Sequence, residues 1–159
     1  MDNATRTFCF KLHNNTLGYN YVVNKFVRNH SPCCTFCILT HNPDDERDTP
    51  LHIFYSCRSV EPVYAHVFTT LLGHDELESF GRSKFFGTYG SEDTVLNSLV
   101  ATICLMFKKY IWDCKQREIL PTGINALWYI QNRIELICEI NKKFKKNWEK
   151  SLIYRRAPF

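Results

Sequence analysis

Between residues 91 and 150 the apolar positions recur with a helical period. Leu96, Leu99, Val100, Ile103, Phe107, Tyr110, Ile111 and Cys114 return every three or four residues and so fall on one helix face. Ser91-Glu92-Asp93-Thr94 reads as the start of that helix, with a capping hydroxyl and two acids placed well against the helix dipole. Pro121 predicts its end, and Thr122 predicts the start of the next helix. Ile130, Ile134, Ile137, Ile140, Phe144 and Trp148 then line one face of that second helix. Two long amphipathic helices joined by Pro121-Thr122-Gly123 are expected to pack as an antiparallel hairpin.

Upstream the pattern shortens. Val60, Val63, Tyr64, Val67, Phe68 and Leu71 predict one helix, with Ser59 as N-cap, Glu61 and Pro62 in the first turn, and Gly73 as the stop. Phe8, Phe10 and Leu12 alternate as in a short extended segment, and Asn14-Asn15 marks a turn. Leu17 to Val27 suggests a short helix that Gly18 and Asn20 weaken. His41 to Pro50 is polar and Pro-punctuated, the composition of a solvated loop. Residues 74–90 set charges and Gly81, Gly87 and Gly90 around Phe80, Phe85 and Phe86, and read as a loop or linker. Neither an internal repeat nor a low-complexity tract is present.

Composition narrows the class. Of 159 residues 45% are hydrophobic, enough for one domain or two small lobes and too many for general disorder. The longest apolar stretch, Val95 to Phe107, is too short to span a bilayer and contains Asn97 and Ser98, so no membrane association is expected. Met1 to Asn20 has no apolar core of a secretory leader, which points to a reducing, intracellular compartment. In that setting the eight cysteines are better read as metal ligands or small core residues than as disulfides. Cys104, Cys114 and Cys138 lie in helical, mostly apolar surroundings and are read as core residues.

The remaining cysteines concentrate chemistry. Cys34 and Cys37 are two residues apart, fourteen residues separate Cys37 from His52, and Cys57 follows at His-x4-Cys spacing. Two thiolates in one tight turn, with an imidazole and a third thiolate, complete a tetrahedron. Such a set leaves no position open for substrate, so it predicts one structural zinc ion (Zn2+) rather than a catalytic one. Adjacent Cys33 competes with Cys34, and His41 with His52. Ile53, Phe54 and Tyr55 are expected to form a small apolar core beneath the metal. The stretch from Cys33 to Cys57 is otherwise poor in large apolar residues, and zinc binding would supply folding free energy on the order of 10 kcal/mol.

A second cluster is basic. Lys142, Lys143, Lys145, Lys146, Lys150, Arg155 and Arg156 lie within fifteen residues that carry a single acid, Glu149. The net charge of the whole chain, +4, is a weaker hint of a polyanionic partner than this run is. Phosphate contact is one reading of these charges, with Phe144, Trp148 and Tyr154 as stacking positions. The alternative is a solvated helix face whose aromatics pack inward and whose lysines complement the C-terminal dipole. A nuclear-localisation signal has the same composition.

With both clusters in view, Cys34-Thr-Phe-Cys37 followed by Thr49-Pro-Leu-His52-Ile-Phe-Tyr-Ser-Cys57 resembles the zinc-binding region that follows the reverse transcriptase in non-LTR (LINE-type) retrotransposon polyproteins. Phe10-Lys-Leu-His-Asn-Asn-Thr-Leu-Gly18 looks like the lead-in of such elements. Tyr110-Ile-Trp-Asp-Cys-Lys115 and the Lys-rich helix ending in Trp148 match their downstream part in kind. The spacer is longer than usual, and Tyr64 stands where a Trp is common. The Tyr-x-Asp-Asp motif of a polymerase palm is absent, as is a nuclease-type Pro-Asp…Asp/Glu-x-Lys set.

The resemblance implies a non-enzymatic accessory region that binds RNA or DNA beside a reverse transcriptase domain of the same polyprotein, in the nucleus. A protein-interaction module is the alternative. The expected fold is mainly α: a small CCHC-type zinc knuckle, a helix and a long antiparallel helical hairpin. The expected divisions are a lead-in (1–30), the knuckle with its helix (31–73), a linker (74–90), the hairpin (91–150) and a basic tail (151–159).

Overall fold

The computed structural model describes residues 3–41, 47–73, 94–151 and 153. These form helices α1 (Asn3–His13), α2 (Asn20–Val23), α3 (Thr35–Leu39), a π-helical turn (His52–Ser56), α4 (Glu61–Leu72), α5 (Thr94–Gln116), α6 (Gly123–Ile140) and α7 (Lys142–Lys150). The fold is mainly α, with the Cys/His cluster near the N-terminus and helices after it. The β pairing among the described residues is one antiparallel bridge, Cys33 to Arg47. Within the described residues, no helix is long and apolar enough to cross a membrane.

The chain divides into two compact units that are discontinuous in sequence. One comprises Met1–Pro62 with Lys108–Pro121, the other Val63–Phe107 with Thr122–Phe159. Helix α5 therefore contributes its first part to one core and its last part to the other. In the first unit Phe8, Leu17, Tyr19, Phe36, Ile53, Phe54 and Ile111 are buried. Tyr19 sits edge-on to both Phe54 (6.4 Å) and Trp112 (5.4 Å). In the second unit Phe68 meets Phe107 edge-on at 5.5 Å, and Tyr64 joins both rings. Gly123 opens α6 there against His66: a Cβ at this position would stand 2.7 Å and 3.0 Å from His66 carbons.

Three elements depart from expectation. Residues 3–13 are helical, not extended. Thr5, Cys9 and Leu12 are half-buried about the buried Phe8, whereas Phe10 faces solvent, so the operative period is three to four residues. The Asn14-Asn15 turn is present as a Schellman closure: Asn15 has φ 54°, and the N–H groups of Asn15 and Thr16 reach the carbonyls of Leu12 and Lys11.

Helix α5 stops at Gln116, before Pro121, by the same device. Glu118 takes φ 54°, and the N–H groups of Glu118 and Ile119 donate to the carbonyls of Lys115 and Cys114. The second long helix is in fact two. Thr122 caps α6 as expected, accepting from the Asn125 N–H (3.3 Å). Asn141 then breaks the helix at φ −121°, ψ 92°, and its side chain caps α7 by accepting from the Phe144 N–H (3.0 Å).

Elsewhere α4 ends at Leu72 on Gly73, which has φ 91°, as the sequence suggests. The expected linker 74–90 and the cap at Ser91 fall outside the described residues.

Candidate metal centre

Cys34 stands at the N-cap of α3 with extended backbone (φ −63°, ψ 129°), and Cys37 follows one turn later. Phe36 between them is wholly buried and anchors the turn. Thr40 closes α3 by donating to the Phe36 carbonyl (2.9 Å), after which His41 turns at φ 50° into solvent.

The other half begins at Thr49, whose hydroxyl accepts from the His52 N–H (3.2 Å). Thr49-Pro50 is thus a capping residue followed by proline in the first helical position. A regular α-helix would set His52 and Cys57 about 140° apart around its axis, on different faces. Here the Cys57 N–H donates to the His52 carbonyl (2.8 Å), five residues back. That wider π turn returns Cys57 to the side of His52. Ile53 and Phe54 point from the same turn into the core and are wholly buried, and Tyr55 is half-buried.

One ligand atom from each of Cys34, Cys37, His52 and Cys57 lies within 4.8 Å of every other, and all four residues are buried. The Cys57 sulfur is 3.9 Å from both other sulfurs, and Cys37 Sγ is 3.3 Å from His52 Nε2. A disulfide requires sulfurs about 2.05 Å apart. Two thiolates on one tetrahedral ion, with metal–sulfur bonds of about 2.3 Å, lie about 3.8 Å apart. The spacing therefore fits shared coordination of one ion and rules out a disulfide among these three cysteines. Cys33 and His41 are not part of the group.

The contact with Cys34 lowers the Cys57 thiol despite burial, with His52 and the Ser59 N–H adding to the effect. The same contact, burial and the Cys57 charge push the Cys34 thiol far above its usual range, against the pull of the Cys37 N–H. A cation at the centre is what allows neighbouring thiols to ionise together.

A polar group that the sequence reading placed in solvent lies in this unit. Asp48 belongs to the segment read as a solvated loop, yet it is wholly buried. Its N–H donates to the Pro32 carbonyl (2.9 Å), which draws it inward. Its Oδ2 accepts from the Asn20 N–H (2.6 Å) and faces Lys115 Nζ at 3.2 Å. Burial pushes this carboxyl above its usual range, and Lys115, the Asn20 N–H and His52 pull it back. Lys115 is itself buried, donates to Asn20 Oδ1 (3.0 Å) and lies 4.9 Å from the Trp112 ring centre. The one available signal was a lysine beside the apolar stripe of α5, and nothing in the sequence pairs it with an acid 67 positions away.

The basic cluster is placed differently from the Cys/His group. Lys142, Lys143, Lys145, Lys146 and Lys150 are exposed on α7, while Trp148 is buried and Phe144 half-buried beneath them. Trp148 is therefore a packing residue rather than a stacking platform. Arg155, Arg156 and Tyr154 lie outside the described residues. Cys104 and Cys114 are buried and Cys138 half-buried, and burial pushes the Cys114 thiol up. No family model, no curated protein and no solved structure matches this chain.

Proposed function

We propose that Cys34, Cys37, His52 and Cys57 hold one structural zinc ion, and that the protein is a zinc-stabilised, non-catalytic nucleic-acid-binding module. The observation that carries the metal is the buried four-ligand cluster with sulfurs at coordination spacing. Three thiolates and one imidazole make a closed set of the structural zinc type, which supplies rigidity and no open coordination position.

The nucleic-acid half is supported by where α7 begins. Its break at Asn141 puts Lys142, Lys143 and Lys145 in the first turn. Positive charge is disfavoured at that end of a helix, so these lysines do not serve helix stability. An external polyanion would offset them, and backbone N–H groups at the same end also suit phosphate. The Lys145–Glu149 pair is exposed at 3.8 Å and neutralises little of the run. A place beside a reverse transcriptase, and with it a nuclear location, rests on the sequence resemblance alone.

A second reading is protein docking through α6. Ile124, Trp128 and Ile140 are 73%, 68% and 79% exposed, and with Leu136 they lie on one i, i+4 row of α6 that Asn132 interrupts.

Elemental analysis paired with fluorescence anisotropy separates the readings. The expected result is about one zinc per chain and binding to a labelled RNA or DNA oligomer that weakens steeply between 50 and 200 mM salt. Zinc without any binding at the lower salt removes the nucleic-acid reading and leaves docking.

A further inference from the structure

We propose that Asp48 is a positioning residue of the metal centre. In the metal-loaded protein its Oδ1 accepts the Nδ1–H of His52 while its Oδ2 stays bound to Asn20 and Lys115. The proposal rests on the metal reading above and deepens it.

Three observations carry it. The first is the unequal use of the carboxylate. Oδ2 has two donors, the Asn20 N–H and Lys115 Nζ, whereas Oδ1 is buried without a hydrogen-bond partner. A buried acceptor left in that state is costly, on the order of 1–3 kcal/mol, so a donor is expected for it.

The second is the orientation of His52. Its Nε2 is the ring nitrogen that meets Cys37 Sγ at 3.3 Å, so Nε2 is the atom offered to the ion. Nδ1 must then carry the proton, and a metal-bound histidine characteristically gives that N–H to a carboxylate or carbonyl. Asp48 is the carboxylate at hand: it precedes His52 by four residues, across the Thr49 cap, and His52 is among the charges that act on it.

The third is the frame around Asp48. Lys115 balances its charge inside the unit, which a lone buried carboxylate would lack. Asn20, which holds both Asp48 and Lys115, also donates through Nδ2 to the Cys33 carbonyl (2.8 Å) and to Thr35 Oγ1 (3.2 Å). Those two residues flank Cys34. One polar network thus touches the histidine half and the cysteine half of the cluster, and ties both to the last turn of α5.

The test compares the wild type, Asp48→Asn, and the double variant Asp48→Leu/Lys115→Met, which removes both buried charges together and so leaves neither unpaired. Zinc affinity is read by competition with a chromophoric chelator. Proton exchange at His52 Nδ1 is read by long-range nitrogen–proton NMR on zinc-loaded protein. Cobalt(II) spectra report the ligand field. The expected result is a wild-type Nδ1–H that exchanges slowly, faster exchange and shifted cobalt bands in the double variant, and zinc affinity 10- to 100-fold lower there, with a smaller loss in Asp48→Asn.

Unchanged affinity and unchanged Nδ1–H exchange in a folded double variant would overturn the role of Asp48 while leaving the metal site standing. If the double variant does not fold, Asp48→Asn decides by the same exchange and cobalt readouts. Wild-type protein that takes up no zinc fails the metal reading itself, a distinguishable outcome.

Discussion

Adjacent Cys33 and Cys34 show how much one backbone position decides. Both are thiols, yet Cys34, at the N-cap of α3, brings its sulfur into the group with Cys37 and Cys57, while the backbone of Cys33 pairs with Arg47 and its sulfur stays outside the group. Cys34→Ser is expected to lower metal content well below one ion per chain, whereas Cys33→Ser retains it. Elemental analysis after purification without added metal checks both variants. Equal loss in the two would mean that either cysteine can serve. His52 and His41 divide the same way: a capped, buried turn holds one, and a solvent-facing left-handed residue is the other.

Among the elements, α7 is the most telling. Charge reversal at its start separates stability from binding. Lys142→Glu/Lys143→Glu replaces cations with anions at the positive end of the helix dipole and is expected to stabilise the helix by about 0.3–1 kcal/mol per site. The same change is expected to weaken duplex DNA binding and reduce the salt slope by about two, since each phosphate contact contributes roughly 0.9. Chemical denaturation and anisotropy titrations at several salt concentrations measure the two effects. Increased stability with unaltered binding would take these lysines out of the interface.

The π turn makes a second point at this scale. His-x4-Cys spacing sets its two side chains on different faces of an α-helix, and one widened turn brings them to the same side.

At the scale of the molecule, the Cys/His cluster lies in the unit built from residues 1–62 and 108–121. Trp112 reports on that unit through Tyr19 and Phe8, and buried Trp148 reports on the other. A strong chelator is expected to red-shift Trp112 emission and leave Trp148 largely unchanged, read in Trp→Phe variants that keep one reporter each. Simultaneous loss of both signals would show that the two units unfold together. Insensitivity of Trp112 would show that the first unit stands on its apolar core without metal.

The Cys34, Cys37, His52 and Cys57 cluster, the mainly helical fold, the Thr122 cap and the Gly73 stop were legible in the sequence, because each follows from spacing or from one residue's own backbone preference. The break at Asn141 was missed because the apolar period continues through it from Ile134 to Trp148. Helix α1 was misread because Phe8, Phe10 and Leu12 satisfy a two-residue period until burial shows which of them face inward. The selection of Cys34 over Cys33, the burial of Asp48 and its pairing with Lys115 belong to the tertiary structure. They join positions far apart in the chain, and a buried charge is tolerated only where folding brings its partner alongside.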